Sequence, residues 1–375
     1  MGRAAVEGAD RIYSVLETEG ATLHAEAVTD SWRRSLNDYH VDPASRAAPH
    51  VLTAQELLDA RGPVEDLISI AREENDRLHA IVGKVGYVVL FTSPEGVVVD
   101  VRGDPVRADE FAYWGVWKGG VWAEGVEGTN GIGTCIAEER PVTVHRTQHF
   151  RARNGSLSCC GAPVFGPDGK LVAVLDVSSI DPELSDRSHA LALSVTMNSA
   201  RAIEERLFRE TFRRAWILTI VPATPSGGPL MLALDADQRI LGADRSARSV
   251  LGLEGAMLAA GVSLWAFFER APSLFAHGDA QTSIDIERNG DEHRWQALLT
   301  PPTVPRVAPL PASEAPLSPR ERSILELIGQ GRSNKEIARA LGISPETVKS
   351  HIKNMFTKLG VERRAQAIYR ATQAR

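Results

Sequence analysis

Residues 128–135 read GTNGIGTC, which places three glycines, two threonines, an asparagine and a cysteine in eight positions. That composition suits three kinds of chemistry. Glycine-freed amides can cradle a phosphate, a thiol can act as a nucleophile, and small polar groups can line a pocket for an organic molecule. The phosphate reading is the weakest. Gly128, Gly131 and Gly133 do not complete G-x-G-x-x-G, because Ile136 stands where the third glycine belongs. No G-x-x-x-x-G-K-[ST] occurs either, so no ATPase module is expected. Cys135, Cys159, His145 and His149 carry soft donor atoms, but their spacing matches no zinc pattern, and no metal or other cofactor is assigned. Cys159 and Cys160 are adjacent in an expected strand, so their side chains point to opposite faces and do not pair; buried structural cysteines are the default.

The elements that must hold this loop can be read around it. YVVLFTSPEGVVVDV and GAPVFGPDGKLVAVLDVSS alternate β-branched runs with PEG and PDG turns, so residues 83–180 are expected to form an antiparallel sheet with helices on it. Residues 1–82 form an N-terminal segment with a helical pattern from residue 20, clearest in HAEAVTDSWRRSLNDY and TAQELLDAR. Over 181–214, Leu193, Met197, Ala200, Ile203 and Leu207 recur at helical spacing, which predicts a long connecting helix that packs on its own domain or joins two copies. Residues 215–300 give strand, turn, strand and short helix, then a hairpin at Asn289–Gly290, a second and smaller α+β domain. Residues 301–316 hold six prolines and read as a stiff tether to the segment 317–375.

Bulk properties set the class. The 375 residues are 43% hydrophobic and 24% charged, ordinary for two or three packed domains. No apolar run approaches the roughly 18 residues of a membrane span, no secretory pattern opens the chain, and three cysteines make no disulfide framework. A cytoplasmic, multidomain α+β protein without membrane contact is expected. From Leu317 to Arg375 there are 12 Lys and Arg against 5 Asp and Glu, although the whole chain carries −6. A basic tail behind an acidic body points to nucleic acid.

Capping chemistry resolves that tail into helices. Ser318, Pro319 and Glu321 form one helix start, Ser333 with Glu336 a second, and Ser344–Pro345 a third, with Gly329, Gly331, Gly342 and Gly360 near the ends. Val348, Ile352, Met355, Phe356 and Leu359 form a buried stripe, while Thr347, Lys349, Ser350, Lys353 and Asn354 point elsewhere. Two helices joined by a short GIS turn, with a basic free face, are a helix-turn-helix. SPRE, SNKEIA, TVKSH and KLGV closely resemble the LuxR-type (FixJ/NarL-like) DNA-binding domain. The resemblance implies four helices and dimeric binding to paired half-sites of double-stranded operator DNA. It carries Lys349, Ser350 and Lys353 to base-reading positions, and Thr347, Asn334 and Lys335 to backbone-contacting ones.

The front of the chain has its own resemblance. SWRRSLNDYHVDP, WAEGVEGTNGIGTCIAEERPVTVHRTQHF and LSCCGAPVFGPDGKLVAVLDVSS look like the sensory region of the AcoR family, a GAF domain behind a helical segment. LDADQRILGADRSARSVLGL resembles a PAS fold, expected to hold no ligand. Together these imply a one-component transcription regulator, not an enzyme, that senses a small alcohol, ketone or aldehyde and acts on RNA polymerase as a homodimer. Trp117, Trp122, Thr129, Asn130, Thr134, Cys135 and His149 are the expected ligand contacts, with core tryptophans and turn-forming glycines as the plainer alternative. A redox- or metal-responsive regulator and a GAF-fold thiol reductase using Cys135 or Cys159 are the rival functions.

Overall fold

The computed structural model describes residue 12 and residues 26–184, 186–221, 228–269, 282–287, 294–303, 317–329, 332 and 334–359. It divides into two units, residues 1–301 and 302–375.

The first unit opens with α1 (Glu26–Arg33), which runs into a wider π turn at Arg34–Asp38, then α2 (Ala54–Arg61) and α3 (Glu65–Val82). Thr53 and Glu56 close a reciprocal capping box at the start of α2, satisfying amides that the helix leaves free. Strands β1 (Val88–Thr92) and β2 (Val98–Arg102) follow, then α4 (Ala108–Tyr113), α5 (Glu124–Glu127) and α6 (Gly131–Glu138). Strands β3 (Val142–His145), β4 (Ser158–Phe165) and β5 (Leu171–Ser179) complete an antiparallel sheet of order β2-β1-β5-β4-β3. β1 is buried at every position and sits inside the sheet, as a continuous apolar run of that length should.

Both faces of this sheet are covered. Leu78 and Val82 of α3, with Ala200 and Ile203 of α7 (Asp186–Thr211), pack on Val89, Phe91, Cys160 and Leu175. Trp32 of α1, Phe111 of α4, and Ile132 and Cys135 of α6 pack on Val88, Leu90, Cys159 and Val174. Cys159 and Cys160 thus face opposite sides, as strand alternation requires. The apolar stripe of α7 is spent on the chain's own sheet, with Leu193, Met197 and Leu207 at its margins.

Beyond α7, strands β6 (Trp216–Val221), β7 (Leu230–Leu234) and β8 (Ile240–Ala243), helices α8 (Arg245–Leu251) and α9 (Gly255–Ala259), and strands β9 (Thr282–Glu287) and β10 (Arg294–Thr300) form a second antiparallel sheet of order β8-β7-β6-β10-β9. β9 and β10 pair with Glu287 opposite Arg294; the Asn289–Gly290 turn between them lies outside the described residues. Leu218, Leu232, Ile240, Leu251, Trp295 and Leu299 make its core.

The two sheets are joined closely. Phe212, just past α7, lies over Gly242, where a Cβ would stand 2.1 Å from the ring, so only glycine fits. Asp244 caps α8 by accepting from Ala247 N at 2.7 Å. The Arg245 guanidinium lies 3.7 Å from the centre of the Phe165 ring and donates to Glu139 O at the end of α6, 3.2 Å away. Arg248 donates to Pro167 O at 3.1 Å and Ala243 O at 2.9 Å. Glu204 of α7 accepts from Phe165 N at 2.7 Å.

In the second unit, α10 (Pro319–Gly329), α11 (Asn334–Leu341) and α12 (Pro345–Leu359) bury Ile324, Ile328, Ile337, Ala338, Val348 and Met355 together. The expected caps form where they are described: Ser318 N donates to Glu321 Oε2 at 2.7 Å, and Thr347 N to Ser344 Oγ at 3.0 Å. Gly342 takes φ +65 to end α11. Ser333, Gly331, Gly360, most of the proline-rich tether and the expected fourth helix lie outside the described residues.

Replacing Arg245 and Arg248 together by alanine should leave the circular dichroism spectrum unchanged while speeding limited proteolysis around Phe212–Ala215 by about tenfold. Each lost cation–π or hydrogen-bond contact removes roughly 1 kcal/mol from the closed joint, and cleavage follows the open population. Unchanged cleavage would show that the joint does not rest on these arginines.

Candidate ligand-sensing site and DNA-binding helices

The glycine-rich loop is a helix start. Asn130 Oδ1 accepts from Ile132 N at 2.9 Å and Gly133 N at 2.8 Å, capping α6, and its Nδ2 donates to Trp122 O and Gly128 O. The glycines serve close approach. A Cβ on Gly131 would lie 2.5 Å from Cys159 Cβ and 2.8 Å from Asp176 Oδ1; one on Gly133 would lie 2.5 Å from Trp122 O. Gly128, at φ +68, has the Phe150 side chain against it.

The two threonines belong to a buried polar cluster that ties the loop to α1. Ser31 Oγ lies 2.7 Å from Thr129 Oγ1 and 3.0 Å from Thr134 Oγ1, and it donates to Glu124 Oε1. Thr134 Oγ1 donates to the same carboxylate oxygen at 3.2 Å. Arg34 grips Glu124 through Nε at 2.8 Å and Nη2 at 3.1 Å, and reaches Glu138 of α6 at 2.7 Å. The Glu124 hydrogen bond leads the causes that hold the Arg34 guanidinium above its ordinary range. Ser31, Arg34, Ser35 and Glu124 were not among the residues expected from sequence. The signal was present, because Ser31, Arg34 and Ser35 recur at i, i+3 and i+4 and share one face of the turn.

Trp122 is buried, and its ring N–H donates to Gly115 O at 2.8 Å. Trp117 and Trp114 pack at the edge of the core on this side of the sheet. Thr129, Asn130 and Thr134 are fully buried, with their polar atoms engaged inside the chain.

Cys135 and His149 belong to a second buried cluster, on the face of β4 and β5 that α6 covers. His149 Nδ1 donates to Arg146 O at 3.0 Å, which leaves Nε2 to accept from the Cys159 thiol, 3.3 Å away. Ser178 Oγ lies 3.2 Å from that sulfur and donates to Asp176 Oδ2 at 2.5 Å. Burial pushes His149 down to about 4, and burial with the nearby Asp176 pushes the Cys135 and Cys159 thiols well up. Burial also lifts Asp176 to about 7 against the opposing Ser178 hydrogen bond. A neutral thiol beside a neutral imidazole is the reverse of an activated cysteine. All three cysteines are free and buried, and each is pushed upward, so the exposed, low-pKa thiol required by a reductase or a redox switch is not found. Among the described residues no group of three or more His, Cys, Asp or Glu is arranged to hold a metal ion.

On α12, Thr347, Lys349, Ser350 and Lys353 are exposed on the side away from Val348 and Met355. Lys349 pairs with Glu346 at 2.8 Å, Thr347 Oγ1 lies 2.8 Å from Ser344 Oγ, and Ser350 donates to Glu346 O at 3.2 Å. Lys335 is exposed on the first turn of α11, beside Asn334. Lys358 instead turns inward, 2.8 Å from Glu321, and fastens α12 to α10.

Comparison with known proteins fits this division. Residues 315–371 match the model of bacterial regulatory proteins of the LuxR family, and residues 66–203 match the GAF domain, taking in α3 and most of α7. The chain therefore carries a LuxR-family helix-turn-helix domain and a GAF domain. It is 34% identical over 231 residues to the acetoin catabolism regulatory protein of Cupriavidus necator, covering 61% of this chain and 35% of that one. It is 26% identical over 180 residues to the acetoin dehydrogenase operon transcriptional activator AcoR of Bacillus subtilis, covering 48% and 29%. The chain thus spans about a third of the length of these curated relatives. The crystal structure of the E. coli DhaR(N)–DhaL complex aligns with a TM-score of 0.44 at 14% identity, over 74% of this chain and 100% of that one. No described helix is long and apolar enough to cross a membrane.

Two outcomes test this geometry. Arg34→Ala should destabilise the fold by about 3–5 kcal/mol in chemical denaturation, because it strands the Glu124 carboxylate without a cation; a loss below about 1 kcal/mol would show that the pair does not hold α1. Asp176→Asn tests the buried carboxyl through pH. A carboxyl raised from 3.8 to about 7 takes up a proton on folding, so it withdraws stability as pH rises through that window and no further above it. His149 acts in the opposite sense between about 4 and 6.5, but equally in both proteins. The difference in Tm should therefore move in favour of the variant from pH 4 to 7 and then level off; a constant difference would contradict a raised Asp176.

Proposed function

We propose that this chain is a cytoplasmic, one-component transcription regulator. Its GAF domain takes up a small organic effector, and its LuxR-type helices bind operator DNA as a homodimer and act on RNA polymerase. The observation that carries this reading is the presence in one chain of a GAF match and a LuxR-family match, the latter with its lysines exposed on two helix-turn-helix elements. The names of the relatives, which speak of acetoin catabolism, support an effector of the alcohol, ketone or aldehyde class. Trp117, Trp122, Cys135 and His149 line or lie beneath the side of the sheet where we place it. Thr129, Asn130 and Thr134 frame that space through the Glu124 cluster and the cap of α6. The PAS-like second sheet is read as a spacer gripped by Arg245 and Arg248.

At the DNA end, Asn334, Lys335 and Thr347 are read as backbone contacts, and Lys349, Ser350 and Lys353 as contacts to base edges in the major groove. The full-length protein should bind mixed-sequence duplex DNA with an affinity that falls steeply as salt rises. Lys335→Ala should lower the slope of log K against log salt by about 0.9, one phosphate contact, without altering thermal stability. Absence of duplex binding at low salt would sink the reading, and an unchanged slope would remove Lys335 from the contact set.

A further inference from the structure

Six carboxylates are buried among the described residues, and five have a cation. Glu74 lies by Arg77, Asp100 by Arg102, Glu124 by Arg34, Glu127 by Arg153 and Glu321 by Lys358. Asp176 is the exception: it is fully buried, makes no ion pair, and its Oδ1 has no hydrogen-bond partner. A buried acceptor left unmade costs about 1–3 kcal/mol, and a fold retains such a group when something else uses it. The setting of Asp176 indicates what that is. It stands in the middle of β5, opposite Leu90 of β1 and Gly161 of β4, on the face that α6 covers. Gly161 and Gly131 flank it, and neither offers a side chain that could complete its hydrogen bonds. Ser178 already occupies Oδ2. The remaining neighbours on that face are apolar or neutral: Val88, Leu90, Val174, Cys135 and Cys159.

We infer that Asp176 Oδ1 is the hydrogen-bond acceptor for an uncharged effector bearing a hydroxyl group, which enters between α6 and the β4–β5 face. Above about pH 7, where the Asp176 carboxyl is ionised, the open Oδ1 can only accept, so a donor is required there. An uncharged molecule is required because no counter-charge is provided there, and stripping an ion of water in such a setting is costly. Entry parts Gly131 from Cys159 and Gly161, which lie in close contact in this structure. Displacement of α6 then bears on Glu139, the residue whose carbonyl Arg245 holds. This inference rests on the reading of the GAF domain as an effector sensor.

The test compares two molecules of the same skeleton, 3-hydroxybutan-2-one, which has a hydroxyl donor, and butane-2,3-dione, which has none. Thermal shift and calorimetry on the full-length chain should show the hydroxyketone binding at least tenfold more tightly than the dione. Asp176→Val should bind both alike, and should itself be no less stable than the parent at pH 7.5, since it removes an unpaired buried acceptor. Should the valine variant not fold, Asp176→Asn serves, because an amide turns N–H groups toward the open position and also abolishes the preference. If the parent responds and both variants keep the same preference, Asp176 is not the acceptor although the sensor reading stands. If neither molecule, nor butane-2,3-diol, shifts the parent, the hydroxyl-bearing effector is overturned together with the sensor reading on which it depends.

Discussion

A carboxylate almost wholly withdrawn from water governs the front half of this protein. Glu124 sits on the short helix α5, between the tryptophan-rich segment and the glycine loop, and everything near it is arranged to keep its charge tolerable. Arg34 supplies the cation, Ser31 and Thr134 supply hydrogen bonds, and Arg34 extends the same grip to Glu138. Because these partners come from α1, the π turn that follows it and α6, one buried carboxylate on α5 ties together elements that are distant in sequence. The cost of burying Glu124 alone exceeds what a surface pair is worth, so the elements assemble together or not at all.

The same face of the sheet holds a contrast. Some fifty residues along the chain from a fully compensated acid, β5 carries an acid with almost no compensation. The loop between them is closely packed for local reasons: Asn130 closes the first turn of α6, and Gly131 and Gly161 let helix and strand touch. The polar groups of GTNGIGTC are therefore used up in making a close-fitting lid, and the open hydrogen-bonding position lies on the strand beneath.

Much of this architecture was legible beforehand. The β-branched runs VVLFT and LVAVLDVSS, the PEG and PDG turns, the five-residue stripe of α7 and the capping box at Ser318 are local signals, and local signals survive folding. The basic face of α12 was legible because exposure follows from helical spacing alone. The pairing of Arg34 with Glu124, ninety residues apart, was not, since sequence distance says nothing about contact across a sheet. Nor was Asp176 singled out. One acid in an apolar strand reads as an edge or a turn until the pairing shows it between Leu90 and Gly161. Thr129, Asn130 and Thr134 drew notice for their chemistry, but that chemistry is directed inward, to a helix cap and a buried charge.

The arginines of α8 bear on how such a chain can be cut and recombined. Because Arg245 and Arg248 hold the end of α6 and the β4–β5 turn, the first sheet is finished by residues that come after α7. A border drawn at the end of α7 would leave Phe165 uncovered and the Glu139 carbonyl without its donor. The portable piece is the longer one, residues 1–301, which stays together as a single unit. Exchange of front portions between chains of this build, in the laboratory or in descent, should therefore move both sheets at once and join at the proline-rich segment.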